Sequence, residues 1–287
     1  MEEIKINQLG VIGVGFMGGG IAQVSAMAGL RVKIYDVRRE AISKCLETIS
    51  WSLAKLKSKG KFRGEIEEAL KRIKPINQLE ELNDAELVIE AVYEDVQLKQ
   101  ELMEKLGKIL APSAIIGSNT SSIPMTVLSQ KLPFPENFIG THFFGPVPLM
   151  ALVELVMAPK TSEATLETIK AFVRTIGKTP IVVRKPSPGF LVNRIWFATA
   201  LEALRCYNEG IGTPEDIDTG MRLGYGFSAG PFEVMDNAGL DIIAGVFMVL
   251  GAEPPEVIKK LIANGHLGRK TGQGFYKYGP DGKKILS

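Results

Sequence analysis

Only two histidines occur in the 287-residue chain. One of them, His142, lies in the run Gly140-Thr-His-Phe-Phe-Gly-Pro-Val-Pro-Leu-Met-Ala-Leu-Val-Glu154, twelve positions ahead of a carboxylate set in an apolar stretch. A carboxylate behind an imidazole fixes its tautomer and stabilises the imidazolium, which suits a general acid/base working near neutral pH. Phe138 to Phe144 and Leu152 to Met157 read as short buried strands, and Gly145-Pro146-Val147-Pro148 turns the chain between them. Neighbouring strands would then face His142 with Glu154. A core histidine satisfied by a backbone carbonyl, with Glu154 at a strand edge, fits the same segment.

A second constellation opens the chain. Leu9 to Ile12 is a short apolar strand running into Gly13-Val-Gly15-Phe16-Met17-Gly18, after which Ile21 to Ala28 has helical spacing. In that context Gly13 permits a tight turn, Gly15 lets the backbone approach a pyrophosphate, and Gly18 lets helix and strand pack closely. A second strand, Arg31 to Tyr35, ends in Asp36, eighteen residues beyond Gly18, where an acid accepts hydrogen bonds from ribose hydroxyls. Asp36 would repel a 2′-phosphate, so the expected cofactor is NAD rather than NADP, although Arg38 and Arg39 soften that preference.

The elements that carry these residues alternate as a doubly wound sheet requires. Strands at Glu86 to Val92, Ala114 to Ser118, the two around His142 and Glu154, and Pro180 to Val183 are interleaved with helices at Gln97 to Leu110 and Ser162 to Ile176. The stretch from Val37 to Lys74 holds about two helices' worth of periodic residues, more than a crossover needs. It reads as an inserted helical hairpin with Lys55, Lys57, Lys59, Lys61 and Arg63 crowded at its tip. Lys185-Pro-Ser-Pro188 breaks the pattern, and helices alone follow, at Phe190 to Tyr207, Pro214 to Leu223, Ile242 to Leu250 and Pro254 to Ala263. The expected fold is therefore α/β: a Rossmann-like domain over 1–186 with the inserted hairpin, then a smaller all-helical domain over 187–287. Tyr225, Phe227, Phe232 and Phe247 make the second domain apolar for its size, which suggests a homodimer through it.

Composition narrows the class. Hydrophobic content of 45%, charged content of 23% and a net charge of +2 describe an ordinary globular protein and give no reason to expect a nucleic-acid partner. Cys45 and Cys206 stand far apart in sequence with no metal-ligand spacing, which argues for a reducing compartment and against a disulfide framework, and no metal site is expected. Neither a signal-peptide pattern nor a membrane-length apolar run is present, so a cytoplasmic enzyme without a membrane partner is expected.

Taken together the segments resemble the L-3-hydroxyacyl-CoA dehydrogenase family, in particular its short 3-hydroxybutyryl-CoA dehydrogenase type. The resemblance rests on Gly13-x-Gly-x-Met-Gly18 with Gly20-Ile-Ala, Ile89-Glu-Ala-Val-Tyr-Glu94, Ser118-Asn-Thr-Ser-Ser122, His142-Phe-Phe and Leu152-Val-Glu154. Further along it rests on Pro188-Gly-Phe-Leu-Val-Asn-Arg194, Glu215-Asp-Ile-Asp218 and Gly272-x-Gly-Phe-Tyr276. It implies that His142 removes the 3-hydroxyl proton while hydride passes to NAD, that Glu154 orients it, and that Ser121 and Asn193 hold the reacting oxygen. It implies cofactor contacts from Glu94, Lys99 and Lys270, and a coenzyme A handle held by Ser52 and Lys59 of the hairpin, a lysine being a sensible partner for an exposed phosphate. The substrate implied is an acyl-CoA.

Two positions depart from the family pattern. Gly145 stands where the family usually has asparagine, and Ala151 where lysine is common. A relative acting on a free hydroxy acid or sugar acid, and a non-catalytic nucleotide-binding relative, are the competing readings. The lysine-bearing hairpin weighs against the first, and the intact His142 and Glu154 against the second.

Overall fold

In the computed structural model, residues 6–185, 187–249 and 251–285 are described. The chain divides into two compact units, Met1–Phe190 and Leu191–Ser287. Pro186, where the domain boundary is expected, and Leu250, at the end of an expected helix, lie outside the described residues.

The first unit is built on an eight-stranded sheet. Its strands are β1 (Gln8–Ile12), β2 (Arg31–Tyr35), β3 (Ile73–Pro75), β4 (Leu87–Glu90), β5 (Ile115–Ser118), β6 (Phe138–Phe143), β7 (Leu152–Met157) and β8 (Thr179–Val183). They are ordered β3-β2-β1-β4-β5-β6-β7-β8. Every neighbouring pair is parallel except β6–β7. Strands β1, β4, β5 and β6 are buried throughout, so they show no alternation of buried and exposed positions. Alternation still assigns faces. Leu87 and Ile89 join one core with α1 (Phe16–Met27) and α2 (Arg39–Ser58), whereas Val88 joins the other with α4 (Val96–Ile109). Each such fully buried aliphatic contributes about 1.5–3 kcal/mol of transfer free energy.

Register brings the chemistry to one end of the sheet. Ile12 pairs with both Tyr35 and Glu90, Glu90 with Ser118, and Ser118 with Gly140. The loops leaving β1, β4 and β5 therefore share the carboxyl edge where doubly wound sheets bind ligands.

The inserted segment is lopsided. Helix α2 runs for 20 residues and buries Ile42, Cys45, Ile49, Leu53 and Leu56, while α3 (Ile66–Lys71) is only six residues long. Gly60, at φ 66°, turns the chain between them. The residues that follow form β3, an edge strand not expected from the sequence, because three residues paired only with β2 carry no period of their own.

Helices α5 (Met125–Leu128) and α6 (Glu163–Thr175) complete the first unit, and the second contains α7 (Val192–Asn208), α8 (Pro214–Tyr225), α9 (Pro231–Ala238), α10 (Leu240–Val249) and α11 (Glu256–Ala263). Its own core gathers Phe197, Leu204, Phe232, Met235, Phe247 and Ile258. Helix α8 starts on Thr213, whose side chain accepts from the Asp216 N–H, and stops at Gly226 with φ 72°. Two expectations need correction. Helix α9 was not anticipated, since eight residues between Gly230 and Gly239 are too few to display periodicity. The first helix begins at Val192 rather than Phe190, because Gly189 and Phe190 both adopt positive φ, 72° and 51°, which no right-handed helix accommodates.

Candidate active site

The glycine turn after β1 is shaped by contacts that exclude side chains. A Cβ on Gly13, at φ 84°, would meet the Ala91 carbonyl oxygen at 2.6 Å, and one on Gly18 would collide with the Gly13 carbonyl. Gly15 is different. Nothing lies within 4 Å of a Cβ built there, and Gly15 caps α1 without any side-chain hydrogen bond. An open approach in front of an uncapped helix N-terminus is the space and polarity that a pyrophosphate requires. Phe16 stands 71% exposed beside it and Met17 is half-buried.

Asp36, at the end of β2, turns back onto this loop. Its Oδ2 accepts from the Val14 N–H at 3.1 Å and its Oδ1 from the Arg38 N–H at 3.0 Å, with the Arg38 guanidinium 3.7 Å away. Each oxygen retains a further lone pair, so the carboxylate has acceptor capacity left for a diol. Arg38 also lies over the ring of exposed Tyr93, 5.8 Å from its centroid.

Beyond β4 and β5 lies a buried ionic network. Glu90 is fully buried and accepts from Lys99 Nζ at 2.5 Å, the Ser118 hydroxyl at 2.6 Å and the Val92 N–H at 2.7 Å. Lys99, only 1% exposed, also pairs with Glu94 at 3.3 Å. Its ammonium faces two carboxylates of its own chain, where the resemblance had implied a cofactor contact. Glu94 accepts in addition from the Thr120 hydroxyl, the N–H groups of Ser121 and Ser122 at 3.0 and 3.1 Å, and the Ser122 hydroxyl at 2.8 Å. Burial pushes the Glu94 carboxyl up, but these donors and the Lys99 charge outweigh it and hold it below the ordinary carboxylate range. The loop carrying Ser121 is thereby fastened to the loop carrying Glu94.

The antiparallel β6–β7 pair sets His142 opposite Glu154. His142 Nδ1 is 2.7 Å from Glu154 Oε2; the histidine is 6% exposed and the glutamate fully buried. With Nδ1 donating to the carboxylate, Nε2 keeps its lone pair for a substrate. Asn119 fixes the end of β6 by accepting from the Phe143 N–H at 2.9 Å. Two aromatic rings flank the imidazole, Phe144 at 4.7 Å and Phe190 at 5.4 Å between centroids.

These parts converge on one cleft of about 370 Å³ lined by Met17, Glu94, Asn119, Ser121, His142 and Gly145, among others. Gly145 lies under the cofactor turn. A Cβ there would stand 2.5 Å from Phe16 Cε1 and 3.3 Å from Met17 Sδ, so an asparagine needs the exposed Phe16 ring to swing away. Ala151 offers no ammonium, but a lysine holds this loop from elsewhere: buried Lys178 donates to the Val147 and Met150 carbonyls, both at 2.6 Å. Burial of that cation lowers its pKa.

The remaining candidates belong to α2 and to the second unit. Ser52 is half-buried on α2, and Lys59 is exposed at its C-cap. The Lys59 backbone N–H donates to the Lys57 carbonyl, but among the described residues its side chain has no hydrogen bond or ion pair, whereas the Lys57 ammonium pairs with Glu65 at 2.9 Å. Next to Ser52, Trp51 is 63% exposed with the Lys55 ammonium 4.6 Å above its ring, a feature that helical spacing alone did not single out. In the second unit, Asn193 is half-buried in the first turn of α7, and Lys270 pairs with Asp241 through both carboxylate oxygens at 2.6 and 2.7 Å.

A pyrophosphate cradle and an acid at the end of β2, in a doubly wound sheet, place the chain among the dinucleotide-dependent oxidoreductases. Residues 8–186 match the NAD binding domain of 3-hydroxyacyl-CoA dehydrogenase, and residues 189–278 match the C-terminal domain of the same enzyme. A probable 3-hydroxybutyryl-CoA dehydrogenase of Deinococcus radiodurans is 41% identical over 278 residues, covering 94% of this chain and 100% of that protein. The mitochondrial hydroxyacyl-coenzyme A dehydrogenase of Sus scrofa is 39% identical over 295 residues, covering 96% and 93%. A crystal structure of (S)-3-hydroxybutyryl-CoA dehydrogenase from Ralstonia eutropha superposes with a TM-score of 0.90 at 40% identity, covering 96% of this chain and 100% of that one. The chain belongs to the 3-hydroxyacyl-CoA dehydrogenase family, and its cofactor is NAD. No helix among the described residues is long and apolar enough to cross a membrane.

Proposed function

We propose that the protein interconverts a short-chain L-3-hydroxyacyl-CoA, such as 3-hydroxybutyryl-CoA, and its 3-keto product. The observation that carries this is the buried His142–Glu154 pair, 2.7 Å apart, in the wall of a cleft that Met17 of the cofactor turn also lines. NAD, held at the Gly13–Gly18 turn and Asp36, would supply the acceptor for the hydride released from the substrate carbon. His142 Nε2 accepts the hydroxyl proton, and Glu154 holds the Nδ1 tautomer and stabilises the imidazolium that forms. Ser121, whose backbone is fixed by Glu94, offers its hydroxyl to the reacting oxygen. Asn193 is proposed as a second polar contact to the same oxygen. Gly13, Gly15, Gly18, Phe16, Met17, Asp36 and Glu94 form the cofactor site in this reading, with Lys270 contributing from the second unit. Lys99 serves by holding Glu94.

The substrate handle is assigned to α2. Ser52 and Lys59 lie seven positions apart, two helical turns on one face. Exposed Trp51 adds a flat apolar surface suited to a nucleobase. The two units divide the work as a dinucleotide domain and a helical domain that also forms a homodimer. Leu223 and Tyr225, at 83% and 80% exposure, are the kind of apolar surface that self-association covers. Light scattering at increasing protein concentration tests this, and a monomer at all concentrations refutes it. The free thiols Cys45 and Cys206 suit a reducing compartment, and a cytoplasmic location is proposed on that ground.

The deciding experiment is reduction of acetoacetyl-CoA followed by loss of NADH absorbance, with NADPH, longer 3-ketoacyl-CoAs and free acetoacetate in parallel. Turnover of the thioester with NADH and little with free acetoacetate supports the reading. Equal turnover of the free acid removes coenzyme A as the handle, and no turnover of any ketone leaves a non-catalytic relative.

A further inference from the structure

Phe190 is the one non-glycine residue among the described residues with positive φ, at 51°. Such a conformation costs free energy and persists only where the surroundings over-determine it. Here the surroundings are specific. Gly189 precedes it at φ 72°, the Phe190 N–H donates to the Ser187 carbonyl at 2.9 Å, and the Ser187 hydroxyl lies 3.4 Å from the Phe190 carbonyl. This closed turn drives the aromatic ring inward. It is 4% exposed, packs with the core on one face of the sheet, and meets the His142 ring edge-to-face at 64° and 5.4 Å. Phe144 contacts the same imidazole at 55° and 4.7 Å. An imidazole held at Nδ1 by one carboxylate can still swivel about that hydrogen bond. Two rings set at different angles remove this freedom and keep water from the buried pair.

We propose that Phe190 is a positioning residue for His142, a wall held by a strained turn that fixes the plane of the imidazole and shields its hydrogen bond to Glu154. The proposal rests on the reading of His142 as the proton acceptor. A methylene or two of extra space does not replace the ring, because it leaves the imidazole free to tilt and lets water compete for Glu154. The turn at Ser187 to Phe190 thus has a purpose beyond joining the two units.

The test uses the full-length enzyme and three substitutions. Phe190→Leu keeps the site apolar, Phe190→Gly removes the ring while accepting positive φ without strain, and Phe190→Tyr restores the ring edge. Because the chain has only two histidines, the imidazole N–H proton resonance of His142 is identified by its loss in His142→Gln. In the wild type this proton is expected to exchange slowly with solvent. In Phe190→Leu and Phe190→Gly it should broaden, and kcat should fall on the order of tenfold, as expected when a catalytic group loses its orientation. The Michaelis constants for NADH and acetoacetyl-CoA should change less than twofold, roughly, because neither ligand is held by this ring. Phe190→Tyr should recover most of kcat and the protected proton.

Unchanged kcat and an unchanged N–H resonance in either folded variant would overturn the proposal while leaving His142 as the base. Full turnover in His142→Gln would overturn both together. Loss of folding in Phe190→Leu is answered by Phe190→Gly, in which the backbone is relieved of strain; if that variant folds with normal kcat, the ring is only core.

Discussion

Both units bury carboxylates, and the two sets are used in opposite ways. In the helical unit Asp236 accepts from the N–H groups of Phe275 and Tyr276, both at 2.9 Å, and from the Tyr278 hydroxyl at 3.0 Å. Asp218 accepts from the N–H groups of Phe232 and Glu233 at the start of α9 and from the Tyr276 hydroxyl. Burial lifts both above the ordinary aspartate range, the hydrogen bonds pulling the other way. Tyr276 and Tyr278 are pushed far up in turn, so both phenols stay protonated near neutral pH and keep donating to these acids. In the sheet unit the buried Glu154 meets an imidazole, and Glu94, whose side chain is 37% exposed, meets a set of loop N–H groups at the wall of a cleft. Burial alone therefore does not mark a site. What separates the two is whether the partner of the acid still has a free valence facing a ligand.

The largest effect that would break this comparison is on turnover. His142→Gln should lower kcat by roughly a hundredfold or more with NADH affinity nearly unchanged, because only the proton acceptor is removed. Near-normal turnover would rule out His142. Glu154→Gln keeps a hydrogen-bonding group but deletes the charge behind the imidazolium, so it should lower kcat less than His142→Gln and alter the pH–rate profile.

The counterpart in the helical unit is a stability effect. Asp236→Ala strands three donors at a partly buried site, at about 1–3 kcal/mol each when left unpaired. Thermal unfolding should shift down by several degrees at least, on the order of 2–4 °C per kcal/mol for a chain of this size. The folded fraction should keep wild-type kcat. A large loss of kcat without loss of stability would mean that this acid belongs to the active site after all.

Glu94 joins the two behaviours, and pH separates them. Its folded pKa lies below the ordinary value of 4.5, so its contribution to stability is present above that value and is lost as pH falls through the folded one. Glu94→Gln should therefore be less stable than wild type at neutral pH, with the gap closing in acid. It should also weaken NADH binding by loosening the Ser121 loop. A gap that persists below the folded pKa would assign the defect to packing rather than charge.

At the cofactor turn, Asp36→Ala should reduce the preference for NADH over NADPH by about tenfold, since both the diol acceptor and the repulsion of a 2′-phosphate disappear. Absolute affinity for both should drop somewhat, because Asp36 also ties the Val14 and Arg38 N–H groups. Equal losses for the two cofactors would remove Asp36 from the specificity argument.

What the sequence made legible follows the range over which each feature is encoded. The Gly13 to Gly18 turn and Asp36 are local patterns tied to a strand and a helix, so their spacing is itself the geometry. The facing of His142 and Glu154 needed only one short connection and one antiparallel register. Lys99 is the contrary case. Its partner Glu90 is nine residues away on a strand, and no periodicity reveals that a helical lysine will be buried against it. Phe190 was visible as part of Pro188-Gly-Phe, yet helical spacing in the residues after it concealed that its own φ is left-handed. Lys178 ties down carbonyls of a loop that sequence order places 28 and 31 residues earlier, a contact that no local spacing encodes.

The smallest expected effect concerns the handle on α2, and it discriminates between substrates rather than between units. Lys59 is exposed and among the described residues its ammonium has no carboxylate partner, Glu65 serving Lys57 instead, so its charge is available to an anion. A phosphate held there is a charge-assisted contact in high dielectric, worth about 1 kcal/mol and screened by salt. Lys59→Ala should raise the Michaelis constant for acetoacetyl-CoA several-fold at low ionic strength, less at high, and leave kcat alone, since the cation touches a remote part of the substrate. Acetoacetyl-pantetheine, which lacks the nucleotide, should not notice the change. Trp51→Ala should behave in the same way but without the salt dependence, because a stacking contact is apolar. If both variants treat the full and truncated thioesters alike, the lysines of α2 only solvate a helix end, and coenzyme A must be held elsewhere.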